Sequence, residues 1–232
     1  MKIKCALFGI DDVLYDASLQ MSTARLNAIK AMIEAGLPTD VETAYRVLQG
    51  IVKEHGSDFN KHFDKLLEHL GLKWNPKVIA AGVVAYRETS LAYLKPYPDT
   101  FPTLLKLRDA RYKIGIISEG RAVKQWQKLI QLGIQHLPDE VITSEEINVK
   151  NITPDLFVSL LKALNVQREQ TIFIGNRPGA DILCANRAKI ISVRIRKGEN
   201  RTLESESVET TPKYEISKLS EVFPVIEKIE KT

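Results

Sequence analysis

Hydrophobic residues follow two different periods along the chain, and the change comes near residue 96. The apolar run from Ile3 to Gly9 predicts a fully buried strand. After it, apolar residues recur at the spacing of an α-helix, and no strand pattern is found between Ser18 and Tyr93. Glycines and prolines divide this region into helical segments. The predicted helices are Ser18–Ala35, Asp40–Lys53, Asp58–Leu70 and Pro76–Leu94.

The second half of the chain alternates short apolar runs with helical segments. It begins after Leu94–Pro102, a stretch with three prolines that predicts a hinge or linker. A polar segment, residues 198–211, is predicted to be an exposed loop. Repeated strand and helix units favour a parallel, doubly wound sheet. Strands are predicted at 113–118, 140–143, 171–175, 190–195 and near 214–216.

The first strand has no partner in the helical region that follows it, so we expect it to join the later sheet. The fold class is therefore α/β, with a Rossmann-like, doubly wound parallel sheet and an inserted α-helical domain. The predicted boundaries are 1–14 with 97–232 for the α/β core and 15–96 for the helical insertion.

Composition narrows the classes of function. The net charge is only +4, and the chain has no dense basic block, so we predict no nucleic-acid partner. The N-terminus lacks the apolar segment of a signal peptide, and no apolar run approaches the roughly 18 residues that a membrane span needs. Cys5 and Cys184 each lie in an apolar stretch, which predicts buried thiols in a reducing compartment. We expect a cytoplasmic protein without a membrane partner.

Polar residues follow the ends of the predicted strands. They come after strand one, after 113–118, before the helix at 154 and after 171–175. Because active sites of open parallel sheets lie at the carboxyl ends of the strands, these positions are the candidate site. The residues are Gly9, Asp11, Ser118, Glu119, Gly120, Lys150, Asn151, Asn176, Arg177 and Asp181.

Three sequence motifs, LFGIDDVLYD, IGIISEG and IGNRPGADILCA, occur in that order. They resemble the motifs of the haloacid dehalogenase superfamily, in its phosphatase-like branch with a helical cap inserted after the first strand. The resemblance covers nearly the whole chain. It is similar above all to small archaeal phosphatases that act on sugar or triose phosphates such as glyceraldehyde 3-phosphate.

The resemblance implies a mechanism in which an aspartate nucleophile forms an aspartyl-phosphate. A second aspartate acts as acid and base, a hydroxyl and a lysine hold the phosphoryl oxygens, and Mg2+ offsets the developing charge. Three of these positions are retained in this chain. Asp11 is at the acid/base position, Ser118 is at the hydroxyl position, and Asp181 is the last acid of the third quoted motif.

Three other positions depart from the family pattern. Gly9 replaces the nucleophile, Asn151 the lysine and Asn176 one metal-binding aspartate. We therefore interpret the chain as a hydrolase-like protein with impaired catalysis, in which Asp11 is a vestigial acid/base. We expect the protein to bind a phosphorylated or anionic metabolite in the cleft between the α/β core and the helical cap. The expected cofactor is none or a weakly bound Mg2+, because a hard cation requires anionic oxygens.

Two alternatives remain open. One is a working Mg2+-dependent phosphomonoesterase for small sugar or triose phosphates, in which Asp11 activates water directly. The other is a non-enzymatic interaction partner, in a dimer or with an active paralogue. For binding a substrate, the candidates are Ser118, Glu119, Gly120, Lys150, Asn151 and Arg177; for a metal, they are Asp181, Asn176 and Asp11.

Several of these residues also have a purely structural interpretation. Asp11 and Asp12 can cap the turn after strand one, and Ser118 can cap the following helix. Lys150 can be a solvated surface lysine. Asn176 can hydrogen-bond the loop of strand one in place of a metal bridge.

Overall fold

Six parallel strands form one sheet in the computed structural model of this protein. The structure describes residues 2–57 and 59–231. The strand order β3-β2-β1-β4-β5-β6 confirms the predicted doubly wound α/β class. The strands are β1 Cys5–Phe8, β2 Lys113–Ser118, β3 Glu140–Thr143, β4 Thr171–Gly175, β5 Ile191–Ile195 and β6 Tyr214–Ile216.

Strand β1 lies inside the sheet, between β2 and β4, as its unbroken apolar sequence predicts. Cys5 is in register with Lys113 on one side and Thr171 on the other. All four residues of β1 are 0% exposed. The strand order reverses at β1, and this is where open α/β sheets form their binding crevice.

The helices agree with the sequence pattern, with one addition. The sequence did not predict α5, which begins inside the proline-rich stretch and includes Pro102 in its first turn, a position where proline is tolerated. The predicted start of the third helix, Asp58, lies outside the described residues, as do Met1 and Thr232 at the predicted domain ends. The helices are α1 Ala17–Glu34, α2 Val41–His55, α3 His62–His69, α4 Pro76–Tyr93, α5 Thr100–Asp109, α6 Ala122–Gln131, α7 Pro154–Leu164, α8 Leu183–Arg187 and α9 Val222–Lys231.

The chain divides into two compact units. The first contains the residues up to Ser18 and those from Leu94 onward; the second is Leu19–Tyr93. The second unit is helical in its described residues and has its own core. Gly82 of α4 provides room there, because a Cβ would come within 2.7 Å of the Met32 side chain. The core residues include Ile29, Met32, Ala44, Leu48, Ile51, Leu66, Leu67 and Val78.

The chain segments around the unit boundary pack with the sheet unit. The hydroxyl of Thr100 donates to the carbonyl oxygen of Leu14 over 2.7 Å, and the amide of Tyr97 donates to the same oxygen over 3.0 Å. Tyr15 also forms an isolated β-bridge with Pro96. The sheet unit therefore includes residues 15–18 and 94–96, which the sequence-based boundaries assigned to the helical insertion.

Both cysteines are free and buried, in agreement with the sequence. Burial raises the pKa of the Cys5 thiol to about 12. Of the helices in the described part of the chain, none is long and apolar enough to cross a membrane.

Helix α7 gives a direct test of the sheet unit's core. Leu160 is 0% exposed and belongs to the cluster that also contains Leu7 and Phe173. We expect Leu160→Ala to lower the free energy of unfolding by about 2–5 kcal/mol, because it removes buried methyl groups and leaves a cavity. Val158→Ala on the same helix is the control, since Val158 is 57% exposed. Urea denaturation followed by circular dichroism measures both, and equal effects would contradict this assignment of the core.

Candidate functional site

Gly9 directly follows β1, is buried and brings no side chain to the carboxyl edge of the sheet. Its amide donates to the carbonyl oxygen of Ile174 over 3.0 Å, so the backbone continues the contact with β4. A Cβ built on Gly9 would lie 3.3 Å from Val13 Cγ2, a tight contact that a small shift of Val13 relieves. A side chain at this position therefore requires Val13, which is buried, to move by a few tenths of an ångström.

Asp11 is held by two side chains of its own unit. Lys128 Nζ, from α6, lies 2.8 Å from both carboxylate oxygens of Asp11. The hydroxyl of Tyr15 donates to Asp11 Oδ1 over 2.9 Å. The Asp11 side chain is 46% exposed and that of Lys128 24% exposed. Asp11 is thus an ion-paired carboxylate at the open edge of the sheet, and it does not cap the turn.

The neighbouring acid, Asp12, has a structural role. It adopts φ of 57° and is 5% exposed. Its two carboxylate oxygens accept hydrogen bonds from the amide and the hydroxyl of Ser18, over 2.8 and 2.6 Å. Burial raises the pKa of Asp12 above its ordinary value. Gly198, with φ of 64°, lies so close that a Cβ there would overlap the carboxylate.

Ser118 ends β2, and its hydroxyl is engaged inside the protein. It donates to Gln125 Oε1 over 2.9 Å, and Gln125 Nε2 donates to the Glu119 carbonyl oxygen over 2.8 Å. Ser118 is 6% exposed. Its hydroxyl therefore contacts the side chain of a residue in α6 and does not cap the helix, which begins after Arg121.

Arg177 joins the ends of β2 and β4. Its Nε and Nη2 donate to Asp181 Oδ1 over 3.0 and 2.8 Å. Its Nη1 and Nη2 lie 3.3 Å from Glu119 Oε2. Burial lowers the pKa of the guanidinium, but the charges and hydrogen bonds of Asp181 and Glu119 outweigh it, and the pKa is raised overall. Arg177 therefore keeps its positive charge at any working pH.

Asp181 is surrounded by donors. The amides of Asn176 and Arg177 donate to its Oδ2 over 3.2 and 3.1 Å, in addition to the two guanidinium bonds at Oδ1. The local turn explains this geometry, because residues 178–182 form a wide turn that brings Asp181 back to the start of its own segment. Within the described residues, the side-chain carboxamide of Asn176 makes no hydrogen bond to the loop after β1, contrary to the structural role suggested by the sequence.

A cavity of about 440 Å³ opens beside the ends of β2 and β3. It brings together Gly120 and Lys150, two of the predicted site residues. Ser144 connects them, because its hydroxyl accepts the Gly120 amide over 2.9 Å and lies 3.4 Å from the Lys150 carbonyl oxygen. Lys150 and Asn151 are both exposed. The cavity residues are Gly120, Arg121, Ser144, Glu145, Asn148, Val149 and Lys150.

Sequence reasoning missed the partners of the predicted residues. Lys128, Gln125 and Ser144 contact Asp11, Ser118 and Gly120 through side chains that stand outside the three motifs. Lys128 is separated from Asp11 by 117 positions, so no spacing within a motif indicates the pair. Amphipathic α6 places Lys128 toward the sheet, and only the packing of α6 shows this.

The residues present do not fit a magnesium ion. Mg2+ is bound mainly by carboxylate oxygens and water. Gly9 offers no oxygen from a side chain, and Asn176 offers a neutral amide. Asp181 already accepts four hydrogen bonds, which match its lone-pair positions. Among the described residues, His, Cys, Asp and Glu form no group of three or more that could hold a metal.

Comparison with known proteins agrees with the fold and the motifs. Residues 7–195 match the haloacid dehalogenase-like hydrolase family. A glyceraldehyde 3-phosphate phosphatase of Methanopyrus kandleri is 47% identical over 231 residues, which cover 99% of each chain. A protein of the same name from Methanocaldococcus jannaschii is 38% identical over 99% of both chains.

A solved structure extends the comparison to three dimensions. The HAD phosphatase of Thermococcus onnurineus superposes with a TM-score of 0.66 at 24% identity, over 97% of this chain and 98% of that one. Its likeness supports the fold alone. On the family match and the two full-length relatives, this chain belongs to the haloacid dehalogenase-like hydrolases.

Proposed function

We propose that this protein binds a small phosphate ester of the triose phosphate class and does not hydrolyse it through an aspartyl-phosphate. The observation that carries the proposal is Gly9, which stands at the end of β1 without a side chain. A covalent route requires a nucleophile at that point. Loss of a nucleophile in other enzymes lowers turnover on the order of a million-fold.

Two cationic side chains at the carboxyl edge of the sheet support binding of an anion, although each is paired with a carboxylate of the chain. Lys128 and Arg177 both place cationic groups there, next to the ends of β1, β2 and β4. The two full-length relatives are named for a phosphatase that acts on glyceraldehyde 3-phosphate, which supports a ligand of this chemical class.

A second candidate is a phosphomonoesterase that acts on the same class of ligand. The identity of 47% over 99% of both chains with a named phosphatase favours it. Without a nucleophile, Asp11 would have to remove a proton from the attacking water. Asp11 is a carboxylate at the open edge, where Lys128 and Tyr15 contact it, so this route requires a water molecule to compete with those contacts.

Restoring the family residues distinguishes the two candidates. We expect wild type, and each of Gly9→Asp, Asn151→Lys and Asn176→Asp alone, to release little phosphate from glyceraldehyde 3-phosphate in the presence of Mg2+. The triple variant should exceed the product of the three single effects, because groups that act as a unit are strongly non-additive. The measurement is the initial rate of inorganic phosphate release.

Circular dichroism provides the control that each variant is folded. Gly9→Asp requires only a small movement of Val13, so we expect native spectra. Wild-type turnover equal to that of the triple variant would favour the phosphomonoesterase and contradict the first proposal. A folded triple variant without activity would mean that the edge of the sheet is no longer shaped for the family's phosphate chemistry.

Metal binding gives an independent prediction. Calorimetric titration of wild type with Mg2+ should show binding no tighter than about 1 mM, because neither Gly9 nor Asn176 supplies an anionic oxygen. The double variant Gly9→Asp with Asn176→Asp should bind at least about tenfold more tightly. Gln167→Glu adds a carboxylate at the amino end of β4 and should change nothing. Micromolar binding of Mg2+ by wild type would contradict this prediction.

A further inference from the structure

Arg177 contacts two carboxylates of different character. Asp181 is 4% exposed and accepts the guanidinium at 2.8 and 3.0 Å. Glu119 is 37% exposed in its side chain, and both of its contacts are 3.3 Å and go to one oxygen. The inner pair is therefore short and desolvated, whereas the outer pair is long and exposed to water. Exposed pairs of this kind contribute little free energy.

The inner pair fixes the orientation of the guanidinium. Oδ1 of Asp181 holds Nε and Nη2, and the backbone amides of Asn176 and Arg177 hold Oδ2. Consequently Nη1 and the second donor of Nη2 face Glu119. Both outer donors share one oxygen of Glu119 here, whereas two oxygens of a phosphate could each accept one of them in the two parallel bonds typical of the arginine fork.

The other groups at this edge are bound more firmly to partners within the chain. Lys128 contacts both oxygens of Asp11 at 2.8 Å, and Ser118 donates its hydroxyl to Gln125. Asn151 stands at the position of the family's lysine and has no charge. Of these groups, the outer face of Arg177 therefore has the weakest internal contact for an incoming anion to replace.

We propose that the outer face of Arg177 is the receptor for the ligand's phosphate group and that Glu119 is an internal anion which the ligand displaces. This rests on the proposed function, because it assigns the anion contact of the same site. The guanidinium then provides the positive charge without a metal ion. Glu119 makes binding selective for dianionic groups, because a weaker anion does not compete with its carboxylate.

The test is calorimetric binding of inorganic phosphate and glycerol 3-phosphate at constant ionic strength, with EDTA present. We expect Glu119→Gln to tighten binding by roughly two- to fivefold, as expected from the loss of one exposed competing pair. Arg177→Met should weaken it at least about tenfold, because it removes charge-assisted hydrogen bonds. Arg177→Lys keeps the charge but loses the fork, and should fall between wild type and Arg177→Met.

Glu169→Gln is the matched control. Glu169 is an exposed partner of Arg168 at 2.8 Å, so the change removes the same charge at the amino end of β4. It should leave binding unchanged. Glu119→Gln keeps the test decisive if Arg177→Met fails to fold, because the outer pair is exposed and its loss does not disturb the core.

The outcomes separate this inference from the proposed function. If wild type, Glu119→Gln and Arg177→Met bind the ligand with equal affinity, the role of Arg177 is overturned and the proposed function stands. Equal tightening by Glu119→Gln and Glu169→Gln would mean a general charge effect and would also overturn it. Absence of binding by wild type and every variant would overturn both.

Discussion

The architecture depends on the double pairing of β1. This strand has only four residues, all 0% exposed, and parallel neighbours on both sides satisfy its backbone groups. The chain leaves β1 for the helical unit and returns to form β2 on one side and later β4 on the other. The ends of the three strands therefore meet at the point where the strand order reverses, and this constraint alone fixes where chemistry can occur.

Gly9 shows that the frame of the sheet does not depend on a side chain at the residue that follows β1. The contact that continues β1 toward β4 comes from the Gly9 amide, which every residue except proline possesses. The side chain at this position is free to change without loss of a backbone hydrogen bond. The haloacid dehalogenase-like fold is therefore compatible with glycine at this position.

The charged side chains at this edge are paired within the chain. Asp11 is paired with Lys128, and Asp181 is held by Arg177 and two backbone amides. A buried carboxylate without partners is costly, so Asp181 requires such donors when no cation is present. Asp181, which two backbone amides hold in place, fixes the orientation of the guanidinium in turn.

The sequence by itself determined the layout of the protein. Unbroken apolar runs such as Cys5–Phe8 and Thr171–Gly175 identify buried parallel strands, because their environment is apolar on both faces. Helical spacing identified the four helices of the inserted region, and the motifs gave the strand ends and the substitution at Gly9. Helix α5 was missed because Pro96 and Pro98 before it and Pro102 in its first turn together resemble a linker, although proline is tolerated in a first turn.

Only the tertiary structure decided which side chains face one another. Lys128 meets Asp11 across 117 positions, and Arg177 reaches Glu119 across 58. No local period encodes such pairs, because they follow from how α6 and the turn after β4 pack on the sheet. The motif resemblance indicated that the Ser118 hydroxyl holds phosphate. The packing of α6 instead places Gln125 where its side-chain oxygen accepts a hydrogen bond from that hydroxyl. Local pattern fixes elements and their order, whereas hydrogen-bond partners at a site depend on distances that only the folded chain sets.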